Sequence, residues 1–123
     1  MFFKSKIKSE INYLELTPVR IYEYEVENNG LVSVLVPKFN IKFFDRMMSR
    51  FIKSRHFKAN LDEFGTETWL EINGINSVQK ISEHLVQKFG EKINPVNERL
   101  TKFLSQLHNY NFITFRELNS KGN

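Results

Sequence analysis

The chain has 123 residues, 41% of them hydrophobic, with 12 Phe against 3 Pro; this suits one domain with a real core and excludes a disordered or low-complexity chain. It has no Cys, which excludes disulfides, thiolate nucleophiles and zinc–thiolate sites and fits a reducing compartment. Lys and Arg number 18 against 14 Asp and Glu, a net charge of +4 that invites an anionic partner but says nothing of fold.

The opening Met1-Phe2-Phe3-Lys4-Ser5-Lys6-Ile7-Lys8 puts Lys where a secretory signal needs an apolar run. The longest near-apolar run, residues 31–36, is far short of the ~20 residues a bilayer span needs. A soluble, cytoplasmic protein is expected. Residues 1–16 read as an N-terminal extension, with a helix or strand over 11–16, and Thr17-Pro18 punctuates the chain. The domain proper is expected over 17–118, followed by a disordered tail at 119–123.

Residues 21–26 alternate and are rich in aromatic and β-branched types, so they predict a strand, and residues 31–36 predict a second. Glu27-Asn28-Asn29-Gly30 lies between them, and Asn-Gly supplies the positive φ that a tight hairpin needs. Pro37 ends the hairpin. Over residues 40–53 the spacing becomes helical: Ile41, Phe43, Phe44, Met47, Met48, Phe51 and Ile52 share one half of the wheel, and Lys42, Arg46, Arg50 and Lys53 share the other. This is a basic amphipathic helix with Asn40 as its N-cap.

His56-Phe57-Lys58-Ala59-Asn60-Leu61 predicts a third short strand. Three helices follow. Asp62 caps the first, which turns Phe64, Thr68, Trp69 and Ile72 inward and stops at Asn73-Gly74. Asn76 or Ser77 caps the second, with Val78, Ile81, Leu85 and Phe89 on one face and Gly90 closing it. Asn94 caps the third, with Pro95 at its first position and an apolar arc of Val96, Leu100, Phe103, Leu104, Leu107 and Tyr110. Residues 112–115 predict a last strand. The expected fold is α+β: a winged helix-turn-helix with an N-terminal three-stranded antiparallel sheet, a three-helix bundle and an inserted amphipathic helix.

Little of this points to catalysis. His56, His84 and His108 lack the second ligand spacing that a metal helix needs. Gly65, Gly74 and Gly90 suit helix packing or C-caps rather than a phosphate loop. Glu67 and Glu71, four apart on a helix, read as a solvated face. No catalytic residue, metal or cofactor is expected, and an enzyme is not. The cations Lys42, Arg46, Arg50 and Lys53 either solubilise an outer face or form a docking surface for a partner or an anionic membrane.

Two further readings use the third helix and the insertion. A DNA-binding winged helix would put the third helix in the major groove, yet its outer positions carry only Arg99 and Lys102 as cations, with Glu98 opposing phosphate. A structural or membrane-peripheral adaptor would work through residues 40–53. Both stay open, although nucleic acid is the less favoured partner.

The run Leu61-Asp62-Glu63-Phe64-Gly65-Thr66-Glu67-Thr68-Trp69-Leu70-Glu71-Ile72-Asn73-Gly74, continuing through Gln87-Lys88-Phe89-Gly90 and the Leu100/Phe103/Leu104/Leu107 arc to Phe112-Ile113, resembles the coenzyme PQQ synthesis protein D (PqqD) family. The resemblance covers residues 56–115, and the hairpin at 21–36 corresponds to the family's N-terminal sheet. The inserted helix and the extra length depart from the minimal pattern.

The resemblance implies a precursor-peptide recognition element, a peptide chaperone in a PQQ biosynthesis-like setting. Such a module holds a precursor peptide while a radical SAM or other modifying enzyme acts on it. It implies strand addition at the third strand, opposite the third helix. Carried onto this chain, the groove is His56, Phe57, Lys58, Ala59, Asn60 and Leu61 on one side and Arg99, Lys102, Phe103 and Gln106 on the other, with Arg99 and Lys102 meeting acidic peptide residues. Homodimerisation through the same strand is a competing use of that edge.

Overall fold

The computed structural model describes residues 12–37 and 56–121. The helix predicted over 40–53, with Lys42, Arg46, Arg50 and Lys53, lies outside the described residues, as does most of the predicted N-terminal extension. The described chain is α+β, with a three-stranded antiparallel sheet, a separate two-stranded sheet and four α-helices.

Asn12 caps a single 3-10 turn, Tyr13–Glu15, by accepting from the Leu14 N–H at 2.9 Å, so the element predicted at the end of the extension is one short turn. Leu16 behind it is fully buried. Strand β1, Pro18–Arg20, then pairs antiparallel with β5, Ile113–Phe115. Thr17-Pro18 therefore opens a strand, which a proline at the first position permits.

The strand predicted over 21–26 is shorter than expected. The Ile21 N–H donates to the Phe112 carbonyl at 2.9 Å, which holds the chain to the β1–β5 sheet before it crosses over. Only Tyr24–Val26 forms β2. It pairs with β3, Val32–Pro37, in the register Tyr24 to Val34, Glu25 to Ser33 and Val26 to Val32. The turn between them is the predicted one. Glu27 and Leu31 close it through the Glu27 N–H to the Leu31 carbonyl at 2.8 Å, and Gly30 takes φ +87°, a backbone that costs an L side chain strain. Strand β4, His56–Asn60, pairs with the other side of β3 from Ser33–Asn60 to Pro37–His56. The sheet order is β2-β3-β4.

Helix α1, Glu63–Glu71, starts where Asp62 accepts from the Gly65 N–H at 2.8 Å. Helix α2, Val78–Phe89, starts at Ser77, whose hydroxyl accepts from the Lys80 N–H at 3.1 Å. Both caps are among those predicted. Helix α3, Val96–Asn109, departs from expectation: Pro95 holds its N-cap without a side-chain cap bond. Asn94 instead closes the preceding 3-10 turn, its N–H donating to the Glu91 carbonyl. A further helix, α4, covers Arg116–Lys121 and runs through the boundary set at 118. Glu117 on it accepts from both the N–H and the hydroxyl of Thr17 at 2.8 Å, tying the two ends of the domain together.

The core lies between the inner face of the three-stranded sheet and the helices. Val32, Val34, Val36, Trp69, Ile72, Ile81, Leu85, Leu100 and Leu104 are all at most 1% exposed. Each large aliphatic removed from water contributes ~1.5–3 kcal/mol. A polar tie joins the layers as well, because the buried Val32 N–H donates to Thr66 Oγ1 of α1 at 2.9 Å.

Candidate functional site

The site starts from the backbone of β4. In an antiparallel pair, alternate residues direct both their N–H and C=O to the partner strand, and the residues between turn theirs away. Leu61 donates to the Val32 carbonyl at 2.9 Å. The register of β4 on β3 therefore points the backbone of Leu61, Ala59 and Phe57 at β3, and that of Lys58 and Asn60 at the free side. Among the described residues β4 pairs with β3 alone. The edge is open.

Side chains on β4 alternate in the other dimension. Phe57 is 7% exposed and joins the core, and Ala59 and Leu61 pack against it. Lys58 stands on the outer face, 3.0 Å from Glu25 and 3.4 Å from Glu27. Asn60 Oδ1 accepts from Ser33 Oγ at 2.6 Å. Lys58 and Asn60 are thus engaged across the sheet, so along these two residues the backbone is what β4 offers a ligand. The Lys58–Glu25 pair is half exposed (51% and 48%), so screening leaves it a small net contribution. Hydrogen bonds to Ser33 first, and then to Lys58, hold the Glu27 carboxyl below the usual carboxylate value. Those from Glu25 and Glu27 hold Lys58 above the usual ammonium value.

Phe103 of α3 and Leu61, just past the end of β4, both meet Gly65 of α1. A Cβ at Gly65 would lie 3.3 Å from Leu61 Cβ, 3.3 Å from Phe103 Cζ and 3.2 Å from Asp62 Oδ1. A Cβ there would make each of these neighbours give by a few tenths of an ångström, so glycine suits the close meeting of Leu61, α1 and Phe103. Phe103 meets Phe64 edge-on at 6.0 Å between ring centroids, and Phe89 lies 6.5 Å from Phe64. The Arg99 guanidinium sits 4.9 Å above the Phe64 ring, a favourable cation–π placement, and its Nη1 donates to the Lys92 carbonyl at 3.4 Å.

The four α3 residues singled out by sequence divide into two groups. Arg99 and Phe103 turn toward α1 and the end of β4. Lys102 and Gln106 line a cavity of about 720 Å³ on the polar face of α3, with Asn97, Glu98, Thr101, Ser105 and Asn109 as the other described lining residues. The six β4-side residues share one strand and its end, although Phe57 contributes to the core.

Sequence reasoning assigned Phe64 and Phe89 to the core and Gly65 to helix packing, and so missed their part in the junction. The signal was Phe64-Gly65 beside the Asp62 cap, an aromatic next to a gap at the start of a helix. The face read as solvated is also more structured than expected: His84 Nδ1 lies 2.6 Å from Glu71 Oε1, and Lys88 lies 3.6 Å from Glu67. Asn76 holds Glu71 through its carbonyl and carboxylate, both at 3.1 Å. Among the described residues, no group of three or more His, Asp or Glu gathers as a metal site, and no helix is long and apolar enough to cross a membrane.

Residues 58–113 match the family model for coenzyme PQQ synthesis protein D (PqqD). No curated protein and no solved structure matches the chain. The matched stretch begins in β4, takes in α1, α2 and α3 whole and reaches β5, so it contains Lys58, Asn60, the Gly65 junction and α3. Over residues 58–113, a little under half of its length, the chain is therefore similar to the PqqD family.

Proposed function

We propose that this chain is a non-catalytic peptide-binding module that takes a precursor peptide as an added strand on β4 and presents it to a modifying enzyme of the radical SAM or a related type. Similarity to the PqqD family over residues 58–113 supports, at the level of the family, a peptide-binding accessory role connected with PQQ synthesis. The α1–α2–α3 unit with its sheet is read as a winged helix-turn-helix.

One observation carries the reading: the backbone N–H and C=O groups of Lys58 and Asn60 face outward with no partner among the described residues. An extended peptide completes these bonds whatever its sequence, so the edge supplies affinity. Side chains must then supply selectivity. Phe103 at the Gly65 junction offers an apolar contact, and Arg99 and Lys102, both exposed on α3, offer charge to acidic peptide residues. The DNA reading gains nothing from the structure, because the outward face of α3 sets Lys102 against Glu98 and leaves little to neutralise phosphate.

The test is a proline at Asn60. Its N–H faces the free side, so Asn60→Pro removes a donor to the ligand and no backbone bond to β3, while Asn60→Ala, which loses only the side-chain bond to Ser33, serves as the control. Peptides tiling the short reading frames beside the gene serve as ligands. The expected result is binding weakened by about tenfold, the loss of about one hydrogen bond in a desolvated ladder, with the circular dichroism of the fold retained. Equal affinity in the folded variant would end the strand-addition reading.

A further inference from the structure

The three-stranded sheet has a second open edge, and its chemistry is the reverse of the first. Leu35 donates to the Glu23 carbonyl at 2.9 Å, and Glu27 donates to the Leu31 carbonyl at 2.8 Å. With the β2–β3 register, this points the backbone of Glu23, Glu25 and Glu27 at β3 and that of Tyr24 and Val26 outward. Among the described residues nothing pairs with Tyr24 or Val26 on that side. Among the described residues two edges are therefore available, on opposite sides of one small sheet.

Side chains distinguish them. Period-2 alternation puts Glu23, Glu25 and Glu27 on the outer face of β2 and its lead-in. Lys58 serves Glu25 and Glu27 together, and no cation among the described residues lies within ion-pair distance of Glu23. Arg20 does not fill that role, because its guanidinium lies 4.9 Å over the Tyr24 ring and donates to the Trp69 carbonyl at 3.1 Å. On the opposite face Val26 is 58% exposed. The edge thus presents excess carboxylate on one face and an uncovered apolar side chain on the other.

We propose that the β2 edge docks an extended basic segment of a partner protein, one in which Lys or Arg alternates with apolar residues. The cations of such a strand would meet the Glu23, Glu25 and Glu27 face, and its apolar residues would cover Val26. Pairing of two copies through β2 is disfavoured, since it sets carboxylates opposite carboxylates. The two edges then sort their ligands by charge, and a peptide on β4 and a partner on β2 can be held at once. This inference does not depend on what β4 binds.

An alternating octapeptide, acetyl-(Lys-Val)4-amide, is the probe, with acetyl-(Glu-Val)4-amide as the control, read by amide chemical shifts of the labelled full chain at low salt. The expected shifts centre on Tyr24 and Val26, with the acidic control silent there. Glu23→Gln should weaken binding about threefold, the size of an exposed charge contact. Val26→Pro, which removes an outward donor, should weaken it about tenfold. Should Val26→Pro unfold, Glu23→Gln and the acidic control decide the matter. Shifts confined to Lys58 and Asn60, equal binding of both octapeptides, or no binding at millimolar peptide would each overturn the proposal.

Discussion

In the proposed peptide site, strand β4 and helix α3 contribute by opposite means. On β4 the side chains of Lys58 and Asn60 are already committed, to Glu25 and Glu27 and to Ser33, while their backbone groups have no partner among the described residues. The backbone of α3 is closed within the helix, while its side chains are divided between the Gly65 junction and the polar cavity face. A wall made of backbone is indifferent to ligand sequence, and a wall made of side chains is not. Changes on β4 should therefore alter how tightly any peptide binds, and changes on α3 should alter which peptide binds.

The largest effect should come from what holds α3 in place. Leu104 is fully buried, and Leu104→Ala should cost ~2–5 kcal/mol of stability in denaturant titration through lost transfer energy and a cavity. Gly65→Val comes next. Its side chain would press on Leu61, Asp62 and Phe103 at 3.3 Å or less, for a cost of ~1–3 kcal/mol, and should shift the Phe103 ring resonances. If Gly65→Val proves neutral, α3 does not depend on close approach to β4.

The two groups on α3 are separated by a smaller pair of effects. Phe103→Ala should lower stability by ~1–2 kcal/mol, because the ring is half buried against Phe64, and should weaken all peptides. Lys102→Ala is at an exposed position and should leave stability within about 0.5 kcal/mol while weakening acidic peptides selectively. Isothermal titration of each variant with acidic and neutralised peptides makes the comparison.

The smallest effect is in pH. Glu27 is held below its usual value by Ser33 and then by Lys58. Its stabilising contact is therefore present at neutral pH and is lost as the pH falls through that lowered value. Lys58 is held above its usual value, so its share is lost only as the pH rises past that raised value. Carboxyl NMR of Glu27 should show protonation at a higher pH in Lys58→Ala than in wild type, since the ion pair at 3.4 Å is gone. Burial likewise pushes the Tyr13 hydroxyl up, partly offset by its bond to Ser105. Its contribution persists below the usual tyrosine value and disappears only as the pH rises through the raised one.

Much of this was legible in the residues. Asn-Gly, Asp62, Ser77 and the apolar arcs of the three helices each encode their structure within a few positions, and local physics decides them. The β1–β5 sheet was not, because Pro18–Arg20 and Ile113–Phe115 meet across almost the whole chain, and nothing in a three-residue strand announces its partner. The site was legible only in part. The pattern indicated which strand and which helix, but the engagement of Lys58 by two carboxylates and the role of Gly65 depend on register and on the packing of distant elements.

The central claim is that the free edge of β4 receives a peptide backbone, and amide hydrogen exchange at Lys58 and Asn60 measures it most directly. With a bound peptide, the account predicts that both amides slow by about tenfold or more while Tyr24 and Val26 are unchanged. A peptide that binds tightly and leaves Lys58 and Asn60 exchanging at their free rates would contradict it.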